Sequence, residues 1–343
     1  MNELQTMLED SVSRLFGNQL DWDALTRYEK TEWPGDLWAQ ILEQGIDKVL
    51  ASEAAGGIAG KWSDAYPVFR LCGRYAVPLP LCESIIAHWI ARQSRIELPD
   101  GIPGLLTSGY SVQSDSLSVA NSIVPWGSRC DYLIAIHDSN LLVADTSQLE
   151  VLEQDNLGRD PRDRLSGSSN IINMYPTSLD NNSLFYLGAL TRSAQIGGAS
   201  AAALDLAITY ASEREQFGRP LSKFQAIQHH LADLACLVAS VDAIALAACE
   251  RLDRSGVTGN TRNAQFEIAA AKCRASEAVE KITRLSHQIH GAIGFTYEYG
   301  LHFLTRRMWA WRTEFGGVAH WGEQLGRIAV EKGGDGIWPI ITD

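Results

Sequence analysis

The chain has 343 residues, 45% hydrophobic and 20% charged, with 10 Trp, 10 Tyr and 9 Phe. That is enough apolar material for two or three packed units, and it excludes the disordered, fibrous and low-complexity classes. Against 29 Lys and Arg stand 41 Asp and Glu, a net charge of −12 that argues against nucleic acid and anionic membrane as partners.

The N-terminus carries Glu3 early and lacks a basic start followed by an apolar run, so no secretory signal is expected and the expected location is cytoplasmic. Up to about Ile96 the pattern is helical. Leu4, Met7, Leu8 and Val12 recur at helix spacing, as do Leu37, Ile41, Ile46 and Leu50, with breaks at Pro34-Gly35, Gly56-Gly57 and Pro78-Leu79-Pro80. Residues 1–98 therefore read as an N-terminal helical domain.

Short β-like runs follow, at Leu117 to Ala120, Tyr132 to Ile136 and Asn140 to Ala144, separated by Gly, Asn, Asp and Ser. Residues 99–183 read as a small middle β domain. The Gly, Arg and Ser content of Asp155 to Asn170 reads as an exposed loop.

From residue 184 to 343 the helical period returns. A helix over about Leu187 to Glu213 carries Ala194, Gly198 and Ala201, with Asp205 on the same side. Ile227, Leu231, Leu234, Val238, Val241, Ala245, Ala248 and Leu252 form one seam; Ile268, Ala271, Ala275, Ala278, Ile282, Leu285 and Ile289 form another. Two such helices, joined by the polar turn Arg254 to Asn263, predict a C-terminal antiparallel four-helix bundle and an α+β, mainly α, fold class. Leu234 to Cys249 contains Asp242 and is too short to span a bilayer; it reads as a buried helix, so no membrane partner is expected.

Six scattered cysteines contain no Cys-x-x-Cys pair, and the neighbours His229 and His230 point about 100° apart on a helix. Neither a disulfide nor a metal site is expected.

Two strings carry candidate chemistry. In Glu213-Arg214-Glu215-Gln216-Phe217-Gly218-Arg219-Pro220 a long helix ends and the chain turns. There Arg214 can hold a diphosphate bidentately, with Gln216 and Gln225 adding neutral bonds, or simply complement the helix dipole. In Gln288-Ile289-His290-Gly291-Ala292-Ile293-Gly294-Phe295-Thr296 the glycines close a helix and expose backbone groups.

Together the strings resemble the acyl-CoA dehydrogenase family, flavoproteins that desaturate acyl-CoA thioesters between the α and β carbons. Arg214 to Gly218 match its Arg-x-x-Phe-Gly signature. Gln288 to Thr296 match its Gln-x-His-Gly-Gly-x-Gly-Tyr-Thr segment, with Ala292 and Phe295 departing. Glu298, Tyr299 and Arg306 continue the match, and Ser52 to Gly60 look like its N-terminal Gly-rich turn.

The resemblance implies that Arg214, Gln216, Phe217, Gln225, Gln288, His290, Gly291 and Gly294 grip the adenosine diphosphate part of FAD across a subunit interface. Nothing between Pro99 and Asn182 reproduces the family's flavin-cradling stretches; Leu106 to Gly109 and Val124 to Gly127 are poor substitutes. The reaction needs a carboxylate to take the α proton. Counting without gaps, the family's usual Glu falls on Phe315, its alternative on Gly188, and the Arg some members use near the substrate on Ala189, with Arg192 one turn on. Glu314, one residue off, is the candidate catalytic base; otherwise it is a surface or interface carboxylate.

Three readings follow. The chain is the short subunit of a heteromeric acyl-CoA dehydrogenase, similar to the α2β2 enzymes of steroid degradation, with a longer catalytic partner and an electron-transfer flavoprotein as acceptor. Or it is a self-sufficient homo-oligomer acting on acyl-CoA with Glu314 as base. Or it is a non-redox acyl-CoA-binding or structural protein.

Overall fold

Asn2 begins the first helix by accepting the Gln5 amide through its side chain while the Gln5 side chain returns the bond, a reciprocal cap. The computed structural model describes residues 2–30, 32–259 and 263–342. Five helices come first: α1 (Glu3–Gln19), α2 (Trp22–Tyr28), α3 (Gly35–Glu43), α4 (Trp62–Arg74) and α5 (Leu81–Ser94). Ile46 to Lys48 form a separate 3-10 turn, so the spacing that joins Ile46 to α3 is broken by Gly45 at φ +65°.

Seven strands follow: β1 (Pro103–Leu105), β2 (Tyr110–Gln113), β3 (Ser116–Pro125), β4 (Tyr132–His137), β5 (Asn140–Asp145), β6 (Glu150–Leu152) and β7 (Arg162–Pro176). Their order is β1-β4-β5-β7-β3-β2, with β6 also on β7, and every pair but β1–β4 is antiparallel. In β4 and β5, Tyr132, Ile134, Ile136, Leu141 and Val143 face the main core, while Leu133, Ala135, Leu142 and Ala144 face a smaller core inside the β region. Burial on both faces is why these two strands read as unbroken apolar runs.

The loop expected over Asp155 to Asn170 is corrected here. From Arg162 onward it is β7, which pairs with β3 through one half and β5 through the other. Its buried positions include the polar residues Arg162, Asp163 and Ser169. Polar side chains satisfied by specific partners, rather than by water, are what disguise the strand.

The long helices are α6 (Ser183–Glu213), α7 (Gln225–Ser255), α8 (Gln265–His290), α9 (Leu301–Trp311) and α10 (Val318–Thr342), the last kinked at Gly333; α6 and α7 are joined by a hairpin of β8 (Glu215–Gln216) and β9 (Arg219–Pro220). Helices α6, α7 and α8 pack on one another, and α10 lies on α8. The α8 seam is buried throughout, and the α7 seam from Leu234 onward. Of the expected Arg254–Asn263 turn, residues 260–262 lie outside the described residues.

Helix α7 is long and apolar enough to cross a membrane by length and composition, and only 28% of its most apolar window is buried. The expectation of a buried helix is therefore met on one face only: Ala232, Ala235, Cys236, Ala239, Ala243 and Ala247 are exposed.

The small residues of α6 act as the spacing suggests. A Cβ on Gly198 would lie 1.7 Å from the Arg70 carbonyl oxygen, and one on Gly73 1.9 Å from that of Gln195, so α4 and α6 cross backbone to backbone. From α7, Asp253 accepts the amides of Trp62 (2.7 Å) and Ser63 (3.0 Å) at the start of α4, tying the N-terminal helices to the bundle. Gly198→Val should cost about 3 kcal/mol by forcing this crossing apart. In thermal unfolding it should lower Tm by several degrees, whereas Ala243→Val on the exposed α7 face should leave Tm nearly unchanged.

Candidate functional site

A cavity of about 520 Å³ opens between the β region and the loop after α9, walled by Ser108, Asn121, Ser122, Phe185, Glu314 and Phe315. Thr107, Gly109 and Pro125 also line it, so the two stretches that poorly match a flavin cradle do converge on one cleft.

The floor of the cleft is a chain of charges. Glu83 on α5 accepts from Arg192 Nη2 at 2.6 Å; Arg192 Nε donates to Glu314 Oε2 at 2.7 Å; Arg162 of β7 donates to both Glu314 oxygens at 2.8 and 3.0 Å. Asn156 adds a bond of 2.9 Å to Glu314, and Gln195 accepts from Arg192 Nη1 at 2.5 Å. The side chains of Glu83, Arg192 and Arg162 are 4%, 2% and 9% exposed. Burial by itself would raise the Glu314 carboxyl, but Arg162 and Arg192 outweigh it and hold it well below the usual carboxylate range.

These contacts correct two expectations. Glu314 is not an exposed surface carboxylate: its side chain is 16% exposed, and its oxygens are committed to two guanidinium groups. Arg192 does not face the cleft as a substrate ligand; it is buried between two carboxylates. A general base works best with a pKa near the operating pH, and a carboxylate stabilised as an anion by two arginines is poorly suited to take a proton.

The positions counted for a catalytic carboxylate meet in space. A Cβ on Gly188 would lie 2.5 Å from the Phe315 ring, so the ring covers the helix surface from which the alternative carboxylate would project. Phe315 holds φ +52°, a costly conformation for a bulky residue. It is over-determined by its neighbours: Trp321 Nε1 donates to the Phe315 and Gly316 carbonyls at 3.0 and 3.2 Å. Buried Lys272 bonds the carbonyls of Trp311, Arg312 and Gly316 at 2.9–3.0 Å, capping the end of α9. Burial pushes the Lys272 ammonium down to about 7, with Glu314 opposing the shift. Glu83, Arg162, Asn156 and Lys272 were not singled out in the sequence. Arg192 was named only for lying one turn beyond the position of a substrate-proximal Arg; as a charge amid the Ala and Gly of α6 it carried the signal that could have pointed to a buried ion pair.

The other candidates lie apart from the cleft. Arg214 ends α6, exposed and without an ion pair among the described residues. Gln216 and Gln225 are exposed on the hairpin and at the start of α7, and Phe217, at φ +54°, is 92% exposed. Gln288 and Gly291 line a second cavity, of about 860 Å³, at the end of α8. His290 and Gly294 are buried. The His290 ring stacks on Tyr210 at 4.9 Å and donates through Nδ1 to the Ser286 carbonyl at 2.7 Å, so it supports the site and does not present a group to a ligand.

Comparison with known proteins agrees with this architecture. The family described as Acyl-CoA dehydrogenase, C-terminal domain, matches residues 181–317. The acyl-CoA dehydrogenase IpdE2 of Mycolicibacterium smegmatis is 27% identical over 314 residues, covering 90% of this chain and 93% of its own. Among solved structures, the ChsE4-ChsE5 complex from Mycobacterium tuberculosis superposes with a TM-score of 0.85 at 20% identity, covering 96% of this chain and 98% of that one. A Tcur3481-Tcur3483 steroid ACAD variant does so with 0.81 at 21%, covering 95% and 98%.

Because Glu314 is stabilised as an anion, its contribution is present above its ordinary value of 4.5 and is lost as pH falls below it. Glu314→Gln, which leaves two buried guanidinium groups short of a counter-charge, should cost about 3 kcal/mol or more at pH 7. In urea unfolding, the gap between wild type and variant should shrink from pH 7 to pH 3.

Proposed function

We propose that this chain, whose residues 181–317 match the acyl-CoA dehydrogenase C-terminal domain, is the non-catalytic subunit of a heteromeric FAD-dependent acyl-CoA dehydrogenase. A longer subunit, in an α2β2 assembly, supplies the flavin-ring site and the base. The observation that carries this reading is an asymmetry: in the chain's own cleft the candidate carboxylate is held by two arginines, while Arg214 and Phe217 stand exposed at the hairpin. In the cleft Glu314 is pinned, Phe315 lies over Gly188, and the residues present do not fit a working flavin and base. At the hairpin, the Arg214 guanidinium, without an ion pair among the described residues, and a 92% exposed Phe217 fit a diphosphate-bearing ligand held from another chain.

In this assembly Arg214 binds the diphosphate, Gln216, Gln225 and Gln288 add neutral hydrogen bonds, Phe217 packs on the nucleotide, and Gly291 lets the backbone approach. His290 and Gly294 shape that turn from beneath. FAD, when bound, accepts the hydride from the acyl β carbon; this chain's residues bind and orient it and take no proton. The exposed alanine face of α7 supports a close subunit contact. The substrate class this reading carries is a CoA thioester, with a steroid-derived acyl group suggested by the relatives, an electron-transfer flavoprotein as acceptor, and a cytoplasmic setting.

A self-sufficient dehydrogenase with Glu314 as base is disfavoured by the two arginines that hold this carboxylate ionised, and a non-redox protein by the open Arg214 and Phe217. Co-expression with a longer dehydrogenase subunit, followed by counting flavins, should give one FAD per pair of unlike chains, and a colourless product when this chain is expressed alone. Arg214→Ala should lower the flavin content of the complex at least tenfold at micromolar FAD. One FAD per chain, or unchanged content in the variant, would contradict the shared site.

A further inference from the structure

The cleft between the β region and the loop after α9 holds one charge that the chain of ion pairs leaves over. Three charged residues line it, Arg162, Arg164 and Glu314. Arg162 and Glu314 neutralise each other through two bonds, and Glu314 is shared with buried Arg192, itself paired to Glu83. Arg164 is half-buried and has no ion pair among the described residues; its Nε donates to the Gln154 side-chain oxygen at 3.0 Å. Both terminal nitrogens of its guanidinium therefore keep their donors. In a chain of net charge −12, this wall presents an uncompensated cation.

Strand geometry sets where that charge stands. Arg162 and Arg164 lie two apart on β7 and share one face of the strand, so the second position is about 7 Å along from the first. In the β3–β7 pairing Ile123 lies opposite Arg164, and it remains 52% exposed. The register shifts between Val119 and Ser122, and there Asn121 takes φ +55°. Such a bulge re-aims side chains. The exposed Asn121 lines the cavity, and its amide makes no hydrogen bond among the described residues. Next to Glu314, the Phe315 ring meets Phe185 edge-on at 6.2 Å, and both line the same cavity.

The pattern of walls selects a ligand class. A wholly apolar molecule would desolvate the Arg164 fork without meeting it, and a phosphate dianion would find one cation for two charges. A planar carboxylate matches the two terminal nitrogens bidentately. We propose that this cleft is a non-catalytic binding site for a free carboxylic acid with a bulky apolar body. The carboxylate pairs with Arg164 and accepts a further bond from the Asn121 amide, while the body packs on Phe185, Phe315 and Ile123. Glu314, its charge taken up by two arginines, does not repel it. The inference rests on the reading above only in that no flavin ring fills this cleft.

Isothermal titration of the purified full chain with 1-pyrenebutyrate and with its carboxamide tests it, because the two share a fused-ring body and differ in the charge of one terminal group. The acid should bind at least tenfold tighter, a comparison that needs no variant. Arg164→Gln should remove most of that preference. Ser108→Trp, at an exposed position on the cleft wall, should weaken binding of both probes at least tenfold with Tm unchanged. Equal binding of acid and amide to wild type overturns the site, as does a preference that survives Arg164→Gln. Binding that survives Ser108→Trp places the probe on another surface and overturns it too. Butyryl-CoA, whose acyl group has no free carboxylate, should not displace the acid; displacement gives the cleft to the thioester and contradicts the inference. A complex with one FAD per pair of unlike chains, whose short chain fails to tell acid from amide, removes the site and leaves the FAD reading standing. Preference for the acid in a complex without flavin does the reverse.

Discussion

Glu83, Arg192, Glu314 and Arg162 form an unbroken alternation of charge that joins an N-terminal helix, the first helix of the bundle, the loop after α9 and the longest strand. Glu83, Arg192 and Arg162 are buried and Glu314 is largely so, so none can be removed without stranding its neighbours. The chain of charges fixes how the β region meets the bundle, and so fixes the cleft between them. It also decides what that cleft can do, since the one carboxylate near the expected catalytic position is already committed to holding the fold together.

Around this network the rest of the site is arranged consistently. Lys272 and Trp321 hold the loop carrying Glu314 and Phe315, and Phe315 occupies the space above Gly188 that a carboxylate on either segment would need. Strain and buried charge are concentrated at the wall of the cleft that Glu314 and Phe315 form. On the opposite account, the hairpin leaves a Phe and an Arg in solvent and α7 leaves a stripe of alanines uncovered, both costly or idle in an isolated chain.

Much of this was legible in the sequence, and the exceptions have a common cause. The seams of α7 and α8 and the close crossing at Gly198 follow from local spacing, because apolar burial repeats with the helix. The Arg214 and Gln288 strings were visible as motifs for the same local reason. Strand β7 was not, because its buried positions hold Arg162, Asp163 and Ser169, whose partners lie far away in the chain. Glu314 was read from its offset to a motif, yet its environment is set by Arg162, 152 residues away. Periodicity reports burial by apolar contact and is silent about burial by ion pairing.

The central claim is that this chain supplies a nucleotide grip to a neighbour and has no working flavin site of its own. A structure of the assembled complex with its flavin bound tests this most directly. The account predicts the isoalloxazine ring in the partner's cleft, with its diphosphate against Arg214 and Gly291 of this chain. An isoalloxazine ring seated between Ser108 and Phe315 of this chain would contradict it.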